Sequence, residues 1–100
     1  MLTFNVTFKC RPGVREEYLK MILEEGIPAA ARAEAGNLGY DFYTPVENGD
    51  DLFLIEKYTD DAAVQSHVQQ PHTAKLTELN KKYVTGVVME KFEGGEKMQF

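Results

Sequence analysis

Two histidines, His67 and His72, are the only imidazoles in this chain of 100 residues, and helical spacing turns both inward. His67 lies four residues after Ala63, three after Val64 and beside Val68, on the apolar stripe of its segment. His72 precedes Leu76 by four residues, Leu79 by seven and Tyr83 by eleven, which sets it on the inward stripe of the next helix. Glu56 is the third chemical group, because it follows the apolar run Leu52-Phe53-Leu54-Ile55 while Lys57 points to the opposite face. An imidazole titrates near neutral pH, so these residues suit the work of a general base.

Each group also has a purely structural reading. A histidine can be a hydrogen-bonded, half-buried side chain, and Glu56 can be a solvated strand-end carboxylate. Two inward histidines in so short a chain weigh toward a shared cavity. Asn5, mid-strand between Thr3 and Thr7, either orients a substrate oxygen or satisfies a neighbouring side chain. Tyr40 and Tyr58 offer phenolic donors to a pocket, or serve the core as aromatics at strand spacing commonly do. Two histidines and a carboxylate can also ligate non-haem iron. Pro71 interrupts the interval from His67 to His72, however, and the pair is not the i, i+4 arrangement of a helical metal site, so no metal is expected. Phosphate-binding glycine loops, CxxC pairs and a GxSxG elbow are absent.

The elements that must position these groups follow from periodicity. Leu2, Phe4, Val6 and Phe8 alternate with polar residues and predict a strand that Arg11-Pro12-Gly13 ends. Val14, Tyr18, Met21, Ile22 and Leu23 predict an amphipathic helix, broken near Gly26 and Pro28 and resuming from Ala29 to Ala35. Leu38, Tyr40 and Phe42 mark a second strand. A connection from Pro45 to Asp50, with Asn48-Gly49 inside it, leads to a third from Leu52 to Tyr58. Asp60 caps a helix to about Gln69, Pro71 opens another to about Tyr83, and a last strand spans Val87 to Phe92. This order, strand, helix, strand, strand, helix, strand, predicts a ferredoxin-like α+β fold whose four-stranded antiparallel sheet has its helices on one face. Leu52 to Ile55 present apolar groups to both faces, so the uncovered face is expected to meet a second copy and form a homodimer.

Composition narrows the partners. The 43% hydrophobic content and eleven aromatic residues predict one ordered domain, residues 1–93, with a tail from Gly94 to Phe100. That tail is either disordered or an arm on the partner subunit, and Met98 and Phe100 favour the arm. A formal net charge of −5 and a pI near 5.0 argue against nucleic acid and anionic membranes as partners. The single Cys10 cannot form an internal disulfide and is expected as a small residue at a strand end rather than a catalytic thiol. The opening MLTFNVTFK lacks the apolar run of a signal peptide, and no segment approaches membrane-spanning length. A soluble cytoplasmic protein is expected.

The segments that carry these groups also carry a resemblance. Arg11-Pro12-Gly13 entering a helix, then Glu34-Ala35-Gly36-Asn37-Leu38-Gly39-Tyr40-Asp41, then Glu56-Lys57-Tyr58-Thr59-Asp60-Asp61-Ala62-Ala63, His67 and Pro71-His72 resemble the antibiotic biosynthesis monooxygenase superfamily of dimeric α+β barrels. The resemblance covers all but the tail. Within the superfamily it points to the small cofactor-independent quinol monooxygenases and to the isomerase of the phosphorylated autoinducer-2 signal. It implies homodimers with one pocket per subunit, lined by Glu56, His67 and His72, with Asn5 a further candidate. The haem-degrading branch fits less well, since the chain has no tryptophan and carries Leu76 and Thr77 where that branch has its histidine.

The expected chemistry is therefore a monooxygenase without cofactor, acting on a quinol or similar small phenolic or polycyclic substrate. His72 is the expected principal base, with His67 and Glu56 in support and Asn5, Tyr40 or Tyr58 binding substrate. Two alternatives stay open at this level: an isomerase of a small phosphorylated dicarbonyl sugar, and a binding or stress-response dimer without turnover. The latter would show a shallow pocket and histidines bonded to backbone.

Overall fold

The computed structural model describes residues 1–95 and residue 98. Strands β1 (Leu2–Cys10), β2 (Asn37–Tyr43), β3 (Asp51–Tyr58) and β4 (Val84–Glu93) form one sheet in the order β2-β3-β1-β4. Every neighbouring pair in it is antiparallel. Helices α1 (Arg15–Glu24), α2 (Ile27–Arg32), α3 (Asp61–Val68) and α4 (Pro71–Tyr83) complete the ferredoxin-like α+β fold. Among the described residues no helix is long and apolar enough to cross a membrane.

Alternation along the strands decides which side chains the helices cover. In β1 Leu2, Val6, Phe8 and Cys10 are buried, and β3 buries Leu52, Leu54, Glu56 and Tyr58. These sets share one face, because Phe4 pairs with Glu56 and Val6 with Leu54. Tyr18 and Ile22 of α1, Ile27 and Ala31 of α2, and Leu76 and Tyr83 of α4 close over that face. The opposite face carries Thr3, Asn5 and Thr7 of β1, Phe53 and Ile55 of β3, and Val88 and Phe92 of β4. Cys10 is buried at the end of β1, where a small residue was expected.

Two boundaries differ from those that periodicity predicts. The second helix spans Ile27–Arg32 rather than Ala29 to Ala35. Pro28 fits its first turn, where an amide proton has no partner in the helix, and Gly26 at φ 67° turns the chain between α1 and α2. Strand β4 begins three residues before Val87, at Val84, directly from α4. There Arg11 N–H donates to the Tyr83 carbonyl at 2.8 Å, and the Thr85 hydroxyl donates to the Lys9 carbonyl at 3.1 Å. These bonds extend the pairing with β1 past the point where the apolar pattern of β4 starts. An arm built from the tail would rest on residues 96, 97, 99 and 100, which lie outside the described residues.

Candidate active site

The site is assembled by one close approach. A Cβ on Gly36 would lie 2.3 Å from Ala63 Cβ, so only glycine lets the chain entering β2 touch the first turn of α3. The Thr59 N–H donates to the Gly36 carbonyl at 2.9 Å and fastens the contact. Asp60 then caps α3, its carboxylate accepting from Ala63 N–H at 2.9 Å, as its position before an apolar stripe predicts. One consequence is that the turn ahead of Gly36 delivers Glu34 beside the last turn of α3. Glu34 is therefore part of the site. No periodicity marks this residue, which stands between α2 and β2 and meets its partners across 33 and 38 residues of chain.

Four ionisable side chains form a row. Glu56 Oε1 accepts the Tyr58 hydroxyl at 2.6 Å and lies 3.4 Å from His67 Nε2. The other ring nitrogen of His67, Nδ1, is 2.8 Å from Glu34 Oε2, and the same oxygen is 2.6 Å from His72 Nε2. With a carboxylate as acceptor, each of these two ring nitrogens donates an N–H. Thr73, in the first turn of α4, donates its hydroxyl to the His67 carbonyl at 2.7 Å and ties α4 to the end of α3. Both histidines are bonded to carboxylates rather than to backbone.

Burial sets the electrostatics. Glu56 and His67 are each 8% exposed. Loss of water pushes the Glu56 carboxyl above its ordinary value, and the Glu34 charge adds to the rise, while the Tyr58 hydrogen bond and His67 oppose it. Burial likewise raises the phenols of Tyr40 and Tyr58 well above the usual tyrosine range, with the Glu56 charge pushing the same way. Both phenols thus stay protonated, Tyr58 with its proton donated to Glu56. Glu34 Oε1 is buried without a hydrogen-bond partner.

A cavity of about 260 Å³ opens on this row. Its walls are Phe4, Val6 and Phe8 of β1, Val87 and Met89 of β4, and Val64, Val68 and Leu76 of the helices. Its polar end is formed by Glu56, Tyr58, His67 and Tyr40, and Thr73, Thr77 and Asn80 run along the α4 side. Among the described residues, no lysine or arginine lines it.

Four of the residues singled out in the sequence, Glu56, His67, Tyr40 and Tyr58, converge on the cavity. His72 belongs to the row but not to the cavity lining, since it stands behind His67 on the far side of Glu34. The turn supplying Glu34 intercepts its ring before it reaches the pocket. The structure does not bring Asn5 to the site: it pairs with Ile55 and Glu90 on the opposite face of the sheet, one residue out of phase with Phe4 and Val6.

Known proteins share this arrangement of elements. YcnE of Bacillus subtilis (strain 168), provisionally named a monooxygenase, is 31% identical over 72 residues, which span 72% of this chain and 74% of YcnE. The crystal structure of PA3566 from Pseudomonas aeruginosa superposes with a TM-score of 0.80 at 30% identity, covering 91% of this chain and 90% of that one. Rv0793 from Mycobacterium tuberculosis, at 24% identity, shares the fold with a TM-score of 0.83 over 98% of both chains. The family model for antibiotic biosynthesis monooxygenases matches residues 1–79, from β1 into α4 and through every side chain of the Glu56–His67–Glu34–His72 row. The chain belongs to the antibiotic biosynthesis monooxygenase family.

Proposed function

We propose that the protein is a cofactor-independent monooxygenase of a small quinol or hydroxylated polycyclic substrate, with His67 as the base. The observation that carries this reading is His67 held between two carboxylates at the polar end of an apolar cavity. With Nδ1–H engaged by Glu34, the nitrogen left facing the cavity is Nε2. A phenolic substrate slides its rings between β1, β4 and α4 and presents its hydroxyl to Nε2. The phenolic proton passes to the His67–Glu56 pair, and the raised Glu56 carboxyl is suited to share it. Tyr40 is the donor beside the resulting oxyanion, since the Tyr58 hydroxyl donates to Glu56.

The electron-rich anion then reacts with dioxygen itself. A ring carbon bonds to one oxygen atom, protonation gives a hydroperoxide, and loss of water leaves a carbonyl on that carbon. One oxygen atom stays in the product, the other leaves as water with the hydrogen of that carbon, and the substrate supplies all four electrons. The apolar walls keep bulk water from the anion until oxygen has added. A phosphorylated sugar is a poorer fit, because a phosphate in a cavity without lysine or arginine would meet Glu56 with no counter-charge.

Oxygen uptake by the chelator-treated protein, across a panel of quinols and hydroxylated polycyclic aromatics with boiled protein as control, tests the proposal. Uptake that survives chelation is expected, and His67→Ala is expected to lower it by about 10²- to 10⁴-fold with the thermal midpoint checked in parallel. No uptake across the panel, or undiminished uptake by the variant, overturns it.

We also propose that the working form is a homodimer joined through the open sheet faces. Phe53, Ile55, Val88 and Phe92 support this, since they lie on the sheet face opposite the one that α1, α2 and α4 cover.

A further inference from the structure

We propose that Glu34, His67 and His72 form a binding site for a divalent transition ion of the zinc class. One ligand atom from each of the three side chains lies within 4.8 Å of the others. The ring nitrogens are 2.8 and 2.6 Å from the same carboxylate oxygen. Two donors bound to one ion in tetrahedral geometry at zinc-type bond lengths stand about 3.3–3.4 Å apart, so each ring nitrogen draws back from Oε2 by roughly half to three-quarters of an ångström to admit an ion. The three side chains are 10–12% exposed, so the ion would sit dry. Glu34 Oε1 gives an independent reason. Hydrogen bonds place both ring N–H groups on Oε2 and leave Oε1 buried and unpartnered, whereas an ion in the cluster is within reach of both oxygens. Two imidazoles and one carboxylate select zinc, cobalt, nickel or copper over magnesium and calcium, which prefer all-oxygen shells.

The break at Pro71 is what makes the arrangement possible. Histidines on one continuous helix would project in parallel; here His67 ends α3, His72 begins α4, and both rings meet the carboxylate that the α2–β2 turn delivers. One functional consequence rests on His67 being the base proposed above. An ion on Nδ1 of the neutral ring leaves the ring proton on Nε2, facing Glu56, so the nitrogen that must accept the substrate proton is already occupied. The ion is thus an inhibitor.

Co²⁺ titration of the chelator-treated full-length protein, followed by visible absorption, tests binding without reference to turnover. The expected result is one Co²⁺ per chain, displaced by Zn²⁺, with affinity falling about 100-fold or more in Glu34→Gln and His72→Ala. In the wild-type protein, whose only imidazoles are these two, bound Co²⁺ is expected to shift the ring proton resonances of both histidines. Absence of Co²⁺ uptake, or uptake that leaves either ring unshifted, overturns the site. If binding follows expectation while Zn²⁺ leaves oxygen uptake unchanged, the site stands and the assignment of His67 as base falls.

Discussion

Glu56 is a carboxyl group between a phenol and an imidazole, and the loss of water around it outweighs both favourable contacts. A carboxyl raised in the folded state contributes stability below the 4.5 of a free glutamate and loses it as pH climbs through the folded value. As pH rises above 4.5 the wild-type protein therefore loses that contribution. Glu56→Gln keeps an acceptor for the Tyr58 hydroxyl and removes the carboxylate charge. We expect its thermal midpoint, compared in chelator, to equal or exceed that of wild type at pH 8 and to lose the advantage at pH 4, while turnover falls by about tenfold or more. A variant less stable at pH 8 than at pH 4, relative to wild type, would contradict the account. The inward position of Glu56, Tyr40 and Tyr58 was legible in the sequence, because strand parity sorts side chains by face. Helical spacing likewise turned His67 and His72 inward. Glu34 was not legible, since the helix expected to run to Ala35 ends at Arg32 and the role of Glu34 depends on contacts across 33 and 38 residues. Of the two readings of Asn5, its phase within β1 favours the structural one, because that phase sets it on the face away from the cavity.

Between residues and molecule, the element that governs the site is the turn leading into β2. Gly36→Ala puts a methyl group 2.3 Å from Ala63 Cβ and 3.3 Å from its Cα, contacts that only backbone movement relieves. The expected cost is about 1–3 kcal/mol, read as a drop in thermal midpoint of about 4–8 °C per kcal/mol. Adding Ala63→Gly is expected to recover most of it, because the offending atom is then gone. A single variant that melts with wild type would show that the turn and α3 are not packed as described. At this scale the sequence was informative about types and order, and less so about ends. The cap at Asp60 and the opening of α4 at Pro71 were readable from local chemistry. The early start of β4 was not, because pairing with β1 holds Val84 to Gly86 in extended conformation where no apolar alternation announces it.

For the whole molecule, the sheet face that carries Phe53, Ile55, Val88 and Phe92 is the surface whose role is still to be tested. If it joins two copies, a charge at its centre should separate them. Ile55→Lys, facing away from the core, is expected to convert a dimer into monomers in sedimentation experiments while leaving the far-ultraviolet spectrum intact; an unchanged mass would remove the sheet-face dimer. The βαββαβ order and the double-sided apolar character of β3 made both the fold and this surface readable from the sequence. The row of Glu56, His67, Glu34 and His72 bears on another property of the whole chain, the order in which it folds. Its members come from β3, α3, the α2–β2 turn and α4, and the contact from Glu34 to His72 closes a loop of 38 residues. No local segment can assemble such a set, so the row exists only once sheet and helices have docked. In a refolding experiment the ring resonances of its histidines are expected to report the docked chain, native-like only when sheet, turn and helices have closed on one another.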